Sequence, residues 1–471
     1  MNSTSPRFSE GSRFQFRLYD PVLAITLSII LPVSIIVGSQ DAGISRVWIL
    51  TGLLSIFSGY KLSRLIVRGQ ARLFIFSFWL YTYIFLGLAP TAVLRSGHFP
   101  VTTPNIIYSD LSAAGLIVIA GVASVTAGYR LTSRRLAKNP VKRTVRFEAS
   151  GPRIILLYIA GLLFSVYFVS KVGIGALILS RIDRSAKVSQ VFPDSAEAAL
   201  FSSAAWVPMQ VTTLAIITQH RRRIWRTWST KLLATVGLGL TLLINNPLSG
   251  ARYHVGSMLF AYIAFLGAIS TTRRIRVTLL SILLGMMVVF PLADYFRRSD
   301  RSSVAVQVGL VSEYDANPDY DSFPQIVNSV TVTRVHGLSL GGQALGVVGF
   351  FVPRAVWPGK PRDTALWIAD LKGYDFQNLS APLWAEFYVN FGIFGVFVGF
   401  AGVGVALAYL DERLLRNFRS LGVGSLASVF LSIYTIIVLR GSLLQAMALP
   451  CLLISSMLSI RRRFYRKSKP T

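Results

Sequence analysis

Cysteine is almost absent from this chain: Cys451 is the only one in 471 residues, which excludes a disulfide framework and any cysteine-based metal site. Charge is scarce too, at 14% of residues, and acids are outnumbered 20 to 48 by Lys and Arg. There is no P-loop, no H-E-x-x-H, no Ser-His-Asp set, and the first outer loop offers only Asp41 rather than paired carboxylates. Chemistry without a metal or a cofactor is therefore expected. Nothing at the N-terminus reads as a cleavable signal: Arg7, Arg13 and Arg17 precede a span of ordinary length, so the first helix is expected to stay as an anchor.

What is abundant is apolar sequence. With 53% hydrophobic residues and a mean hydropathy of +0.55, the chain reads as an all-α polytopic membrane protein. Runs of about 17–25 apolar residues give twelve expected spans, near 21–38, 47–67, 73–94, 106–128, 154–170, 198–218, 231–246, 255–271, 276–293, 383–410, 421–439 and 441–459. Lys61 and Arg64 interrupt the second, which spans by letting those side chains snorkel.

Basic residues orient the bundle, because Lys and Arg accumulate in cytoplasmic loops. The N-terminus and residues 60–72, 129–153, 219–231, 272–276, 411–420 and 460–471 hold 32 of the 48 cations and five of the 20 acids. That puts +27 on the inner face and +1 on the outer, with both termini cytoplasmic. Topology and anionic lipid headgroups account for the pI near 10.8, so nucleic acid is not an expected partner.

The expected organisation is a transmembrane bundle over 1–293, a long extracytoplasmic loop over 294–382, C-terminal helices over 383–460 and a basic cytoplasmic tail over 461–471. Loops as long as 294–382 are usually functional. Within it, 313–323 reads as a solvated acidic turn, 341–352 as an interfacial or re-entrant segment, and 363–372 as a short amphipathic helix.

Two stretches carry chemistry. Pro353-Arg354-Ala355-Val356-Trp357-Pro358-Gly359-Lys360-Pro361-Arg362 is a cation-rich, proline-stiffened loop, and Glu386-Phe387-Tyr388-Val389-Asn390-Phe391-Gly392 opens the tenth span. Together with Arg440-Gly441-Ser442 between the last two spans, this order of features resembles bacterial oligosaccharide repeat-unit polymerases of the Wzy type, most strongly over 336–445. The resemblance implies a GT-C-like helical bundle in the bacterial cytoplasmic membrane with an extracytoplasmic active site. It implies transfer of a growing glycan from undecaprenyl pyrophosphate to the next lipid-linked unit, with a chain-length regulator and a flippase as partners.

The residues make sense in that role. Guanidinium groups hold the charge that grows on a departing pyrophosphate, and Arg354, Lys360 and Arg362 lead this clamp. Arg252 in a short outer turn, Arg297 and Arg298 after the ninth span, and Arg440 join it if they converge; interfacial anchoring is the alternative, favoured for Arg95, Arg181 and Arg184. Glu386 is the leading general base, or else a partner that docks a loop arginine, with His254 and His336 ranked below it. Asn390, at i+4, orients a sugar hydroxyl. Trp357, Trp367, Tyr374, Trp384, Phe387 and Tyr388 either stack on sugars or form an interfacial belt, and Gly395 and Gly399 read as helix packing. A glycan ligase and a lipid-linked oligosaccharide flippase are the competing functions. The flippase would place its cations inside the bundle.

Overall fold

The computed structural model describes residues 19–139, 147–192, 195–221, 223–289, 314, 317–352, 354–374, 379–418 and 423–463. Arg297 and Arg298 lie outside them. Among the described residues seven helices are long and apolar enough to cross a membrane: Asp20–Gly38 (α1), Val47–Arg68 (α2), Leu73–Ser96 (α3), Tyr108–Lys138 (α4), Gly151–Val172 (α5), Ala198–Arg221 (α7) and Leu383–Arg416. Trp228–Ile244 (α8), Ser425–Arg440 and Leu443–Ser459 are apolar but shorter. The other two expected spans are helical from Arg252 (α9) and from Thr272 (α10), and each widens into a π-helical turn, at Ala264–Ala268 and Gly285–Val289. Arg181–Val191 (α6) is a short polar helix between α5 and α7.

Among the described residues the architecture is thus a helical bundle with one two-stranded ribbon pairing Phe147–Ala149 and Arg461–Arg463. Its core is α3, buried along its whole apolar length, including a π-helical stretch over Thr82–Leu88. Small residues let the surrounding helices close in. A Cβ on Gly128 of α4 would lie 2.4 Å from the Ala401 carbonyl oxygen, and one on Gly404 would lie 2.4 Å from that of Val125, so only glycine fits this crossing.

The described part of the expected loop is folded into the bundle from α11 onward rather than laid over it. Ser322–His336 (α11) is buried over its first twelve residues and emerges only at Arg334. Gly342–Val348 (α12) is the short segment expected over 341–352, and Thr364–Lys372 (α13) the helix expected over 363–372.

The expected tenth span is not one rod. Within Leu383–Phe418 (α14), Gly392 takes φ 61° and ψ −154°, a left-handed conformation open to glycine, and the chain folds back there. The rings of Trp384 and Phe400 are 4.2 Å apart, whereas sixteen residues of straight helix would separate them by about 24 Å. Gly395 and Gly399 face Phe391 and Phe387 across this bend, so they pack the helix against its own first turns. Residues 383–391, with Glu386, therefore form a separate short helix inserted in the bundle, not the first turn of a long span. Val423–Arg440 (α15) and Ala448–Ser459 (α16) complete the chain.

Loop contacts fall at two ends. At one, the ribbon forms, and Asp411 accepts hydrogen bonds from the amides of Phe74 (2.9 Å) and Ile75 (3.2 Å) and from the Tyr129 hydroxyl (3.0 Å), capping α3 from another helix. At the other, Arg334 pairs with Asp110 at 2.7 Å and Lys372 donates to the Asn105 carbonyl at 2.8 Å.

Candidate functional site

The chain before α11, Asn317-Pro318-Asp319-Tyr320-Asp321, is a single 3-10 turn capped by the Asn317 side chain. It is not the solvated acidic turn its composition indicates. Arg252, at the start of α9, pairs with Asp319 at 2.6 Å. Arg440, at the end of α15, donates to the Asp319 carbonyl from Nη2 (2.8 Å) and Nε (3.2 Å), and its Nη2 lies 3.4 Å from Asp321 Oδ1. Asp321 is 1% exposed and also accepts the Ser380 amide at 2.8 Å. Burial pushes its carboxyl above the usual range while Arg440 pulls it back. Two arginines widely separated in sequence thus converge, as the clamp requires, but two aspartates balance their charge. Arg440 also lies over the rings of Phe85 and Tyr253, 5.8 Å from each centroid.

One short strap joins this cluster to Glu386. Directly after Arg440, the Ser442 hydroxyl and the Leu443 amide donate to Glu386 Oε1 at 3.2 and 2.9 Å, and Thr364 Oγ1 donates to Oε2 at 2.7 Å. Glu386 is 1% exposed, and its hydrogen-bond partners among the described residues are hydroxyls and an amide, not the loop cation that a docking role was expected to use. Asp363, 4% exposed, stands beside it and caps α13 by accepting the Ala365 amide at 2.9 Å. Burial pushes the Asp363 carboxyl up as well.

Other expected site residues are turned to holding the loop. Lys360 is buried, with Nζ on the carbonyls of Phe350 (2.6 Å) and Val352 (3.1 Å), so its ammonium closes the loop on itself. Arg354 donates to the Lys360 carbonyl at 2.8 Å, stays exposed, and has no carboxylate partner among the described residues. Arg362 pairs with Asp370 on α13. Asn390 is heavily used: Oδ1 accepts the Ser339 hydroxyl and the Ala344 amide, both at 3.0 Å, and one N–H of Nδ2 donates to the Glu386 carbonyl at 2.8 Å. It pins the α12 segment to the short helix rather than waiting for a sugar.

His254 lies against Tyr434 (centroids 5.9 Å apart) and Trp206 (6.4 Å), while His336 is exposed at the end of α11. Neither contacts Glu386 in the described hydrogen-bond network. Tyr388 packs half-buried on the core, and Trp357 lies against Gly349. Trp384 is no belt residue: fully buried, it stacks with Phe78 and Tyr81 and donates to the Val118 carbonyl at 3.2 Å. Arg184, expected as an interfacial anchor, is buried on Ser249 and the Ile244 carbonyl, and burial lowers it to about 10. Among the described residues no three His, Cys, Asp or Glu side chains group as metal ligands.

Asp319, Asp321, Asp363, Thr364 and Ser442 belong to the arrangement; the sequence placed them in noted segments but not among the expected site residues. The helix-capping position of Asp363, just before an amphipathic run, is the one signal that marks any of the acids. No family model matches the chain, and comparison with curated proteins and with solved structures finds no match either.

Proposed function

We propose that this chain is a metal-independent membrane glycosyltransferase of GT-C-like architecture with about twelve spans, polymerising undecaprenyl-pyrophosphate-linked repeat units at the outer face of the bacterial cytoplasmic membrane. The observation that carries the reading is the strap Arg440–Leu443, which within four residues touches a two-arginine cluster and a buried carboxylate. Such a junction supplies what glycan transfer from a lipid pyrophosphate needs: guanidinium for the leaving group and a proton acceptor for the incoming hydroxyl. Arg354, exposed and with no carboxylate partner among the described residues, keeps guanidinium donors for phosphate oxygens.

The flippase alternative draws support from one observation, that Arg252 and Arg440 sit inside the protein. Asp319 and Asp321 balance those two charges, whereas the buried Glu386–Asp363 pair supplies the proton acceptor that glycan transfer needs.

The test is purified protein in vesicles with a lipid-linked repeat unit and no nucleotide sugar or added metal. A ladder of longer glycans is expected, and Arg354→Lys, which keeps the charge but loses the bidentate fork, should elongate far more slowly at normal protein level. Passage across the bilayer without new bonds makes the protein a flippase, and delivery to a different lipid acceptor makes it a ligase.

Orientation has its own test. Ala355 and Lys138 are both exposed, at opposite ends of the bundle. A cysteine at 355 should react with an impermeant thiol reagent from outside intact cells, and one at 138 only after permeabilisation. The reverse pattern overturns the outer location of the site.

A further inference from the structure

Asp363 and Glu386 are two carboxyls on one polar junction, and they differ in one respect. Both oxygens of Glu386 are occupied, by Thr364, Ser442 and the Leu443 amide. Asp363 uses Oδ1 on the Ala365 amide, while Oδ2 is buried and meets no donor among the described residues. Ser442, Gln445 and the Leu366 amide lie near enough to this carboxyl to favour its ionised form, but none meets Oδ2 in hydrogen-bond geometry, and the Ser442 hydroxyl proton is committed to Glu386. A general base must present a lone pair to the hydroxyl it deprotonates. At Glu386 three donors already take three of the four lone pairs, whereas Oδ2 of Asp363 accepts no described hydrogen bond and has both of its own to present.

Resting on the glycan-transfer reading above, we propose that Asp363 is the general base and that Glu386 is a positioning residue, fixing Thr364 and the 442–443 strap around it. In the step, Oδ2 of ionised Asp363 takes the proton of the acceptor sugar hydroxyl while that oxygen bonds to the anomeric carbon of the donor glycan. The bond from the anomeric carbon to the pyrophosphate oxygen breaks, and its electron pair leaves on the phosphate. Asp363 then gives up the proton to solvent. The raised position of its carboxyl, which burial causes, brings it nearer the operating pH of a base.

Asparagine caps a helix about as well as aspartate, so Asp363→Asn keeps the bond to the Ala365 amide and removes only the proton-accepting oxygen. The expected result, with purified protein and the lipid-linked unit alone, is a kcat loss of about 10²–10⁴-fold with KM and melting temperature near wild type. Asp363→Glu should recover part of the rate. Asp363→Ser, which also caps, takes the place of the Asn variant should that fail to fold, with the same expected loss. Elongation by either variant within a few-fold of wild type overturns the assignment to Asp363. Failure of the wild-type protein to elongate overturns instead the transfer reading beneath it.

Discussion

Arg440→Ala is expected to destabilise the protein by about 3–5 kcal/mol, the range for breaking a buried ion pair from one side. The Asp321 side chain is only 2% exposed and would stay inside with its cation gone. The Asp319 carbonyl would lose two donors, and the guanidinium's place over Phe85 and Tyr253 would empty. Arg440→Lys should fall between, since one ammonium cannot reach the carbonyl and the carboxylate with a planar fork. Melting temperature and folded yield in detergent are the measurements.

The deficit of Arg440→Ala should also depend on pH in a set direction. Burial already raises the Asp321 carboxyl, and Arg440 opposes that. Without Arg440 it rises further, so the folded state holds its proton more tightly than the unfolded one. Stability contributed this way is present at low pH and lost as pH climbs through the folded-state value. The variant should therefore approach wild type on acidification and diverge from it above neutrality. An unchanged melting temperature at neutral pH would show that Arg440 does not hold the turn before α11.

The composition of this chain announces its helices because lipid demands long apolar runs, and periodicity is enough to locate most of them. Composition does not announce the fold-back at Gly392, where one backbone torsion converts the start of an apparent long span into a separate helix. The acids show the same limit more sharply. Asp319 and Asp321 look solvated in sequence because their partners, Arg252 and Arg440, come from other helices. The proline-rich loop misleads in the opposite sense. Lys360 draws attention as a cation near the membrane, yet its ammonium is used on two carbonyls of its own loop. Charge type is legible in a sequence; what neutralises a charge is a property of packing.

Glu386 shows how to separate holding from catalysis at one residue. Glu386→Ala removes the acceptor for three donors. The hydroxyls of Thr364 and Ser442 can turn elsewhere, but the Leu443 amide cannot, and a buried amide without a partner costs about 1–3 kcal/mol before the vacated volume is counted. A large fall in folded yield and melting temperature is expected. Glu386→Gln should behave otherwise: Oε1 keeps Ser442 and Leu443, and the new amide group donates to Thr364 Oγ1, which reverses to become the acceptor. Near-normal melting and elongation within about tenfold of wild type are expected of a positioning residue, because a general base contributes about 10²–10⁴-fold. A stable Gln variant slowed a hundredfold or more would return the base role to Glu386. If the Gln variant and Asp363→Asn both elongate normally, no carboxyl at this junction takes the proton. The histidines would then come forward: His336, exposed at the end of α11, ahead of His254, whose ring is wedged between Tyr434 and Trp206 with no described hydrogen bond to relay a proton.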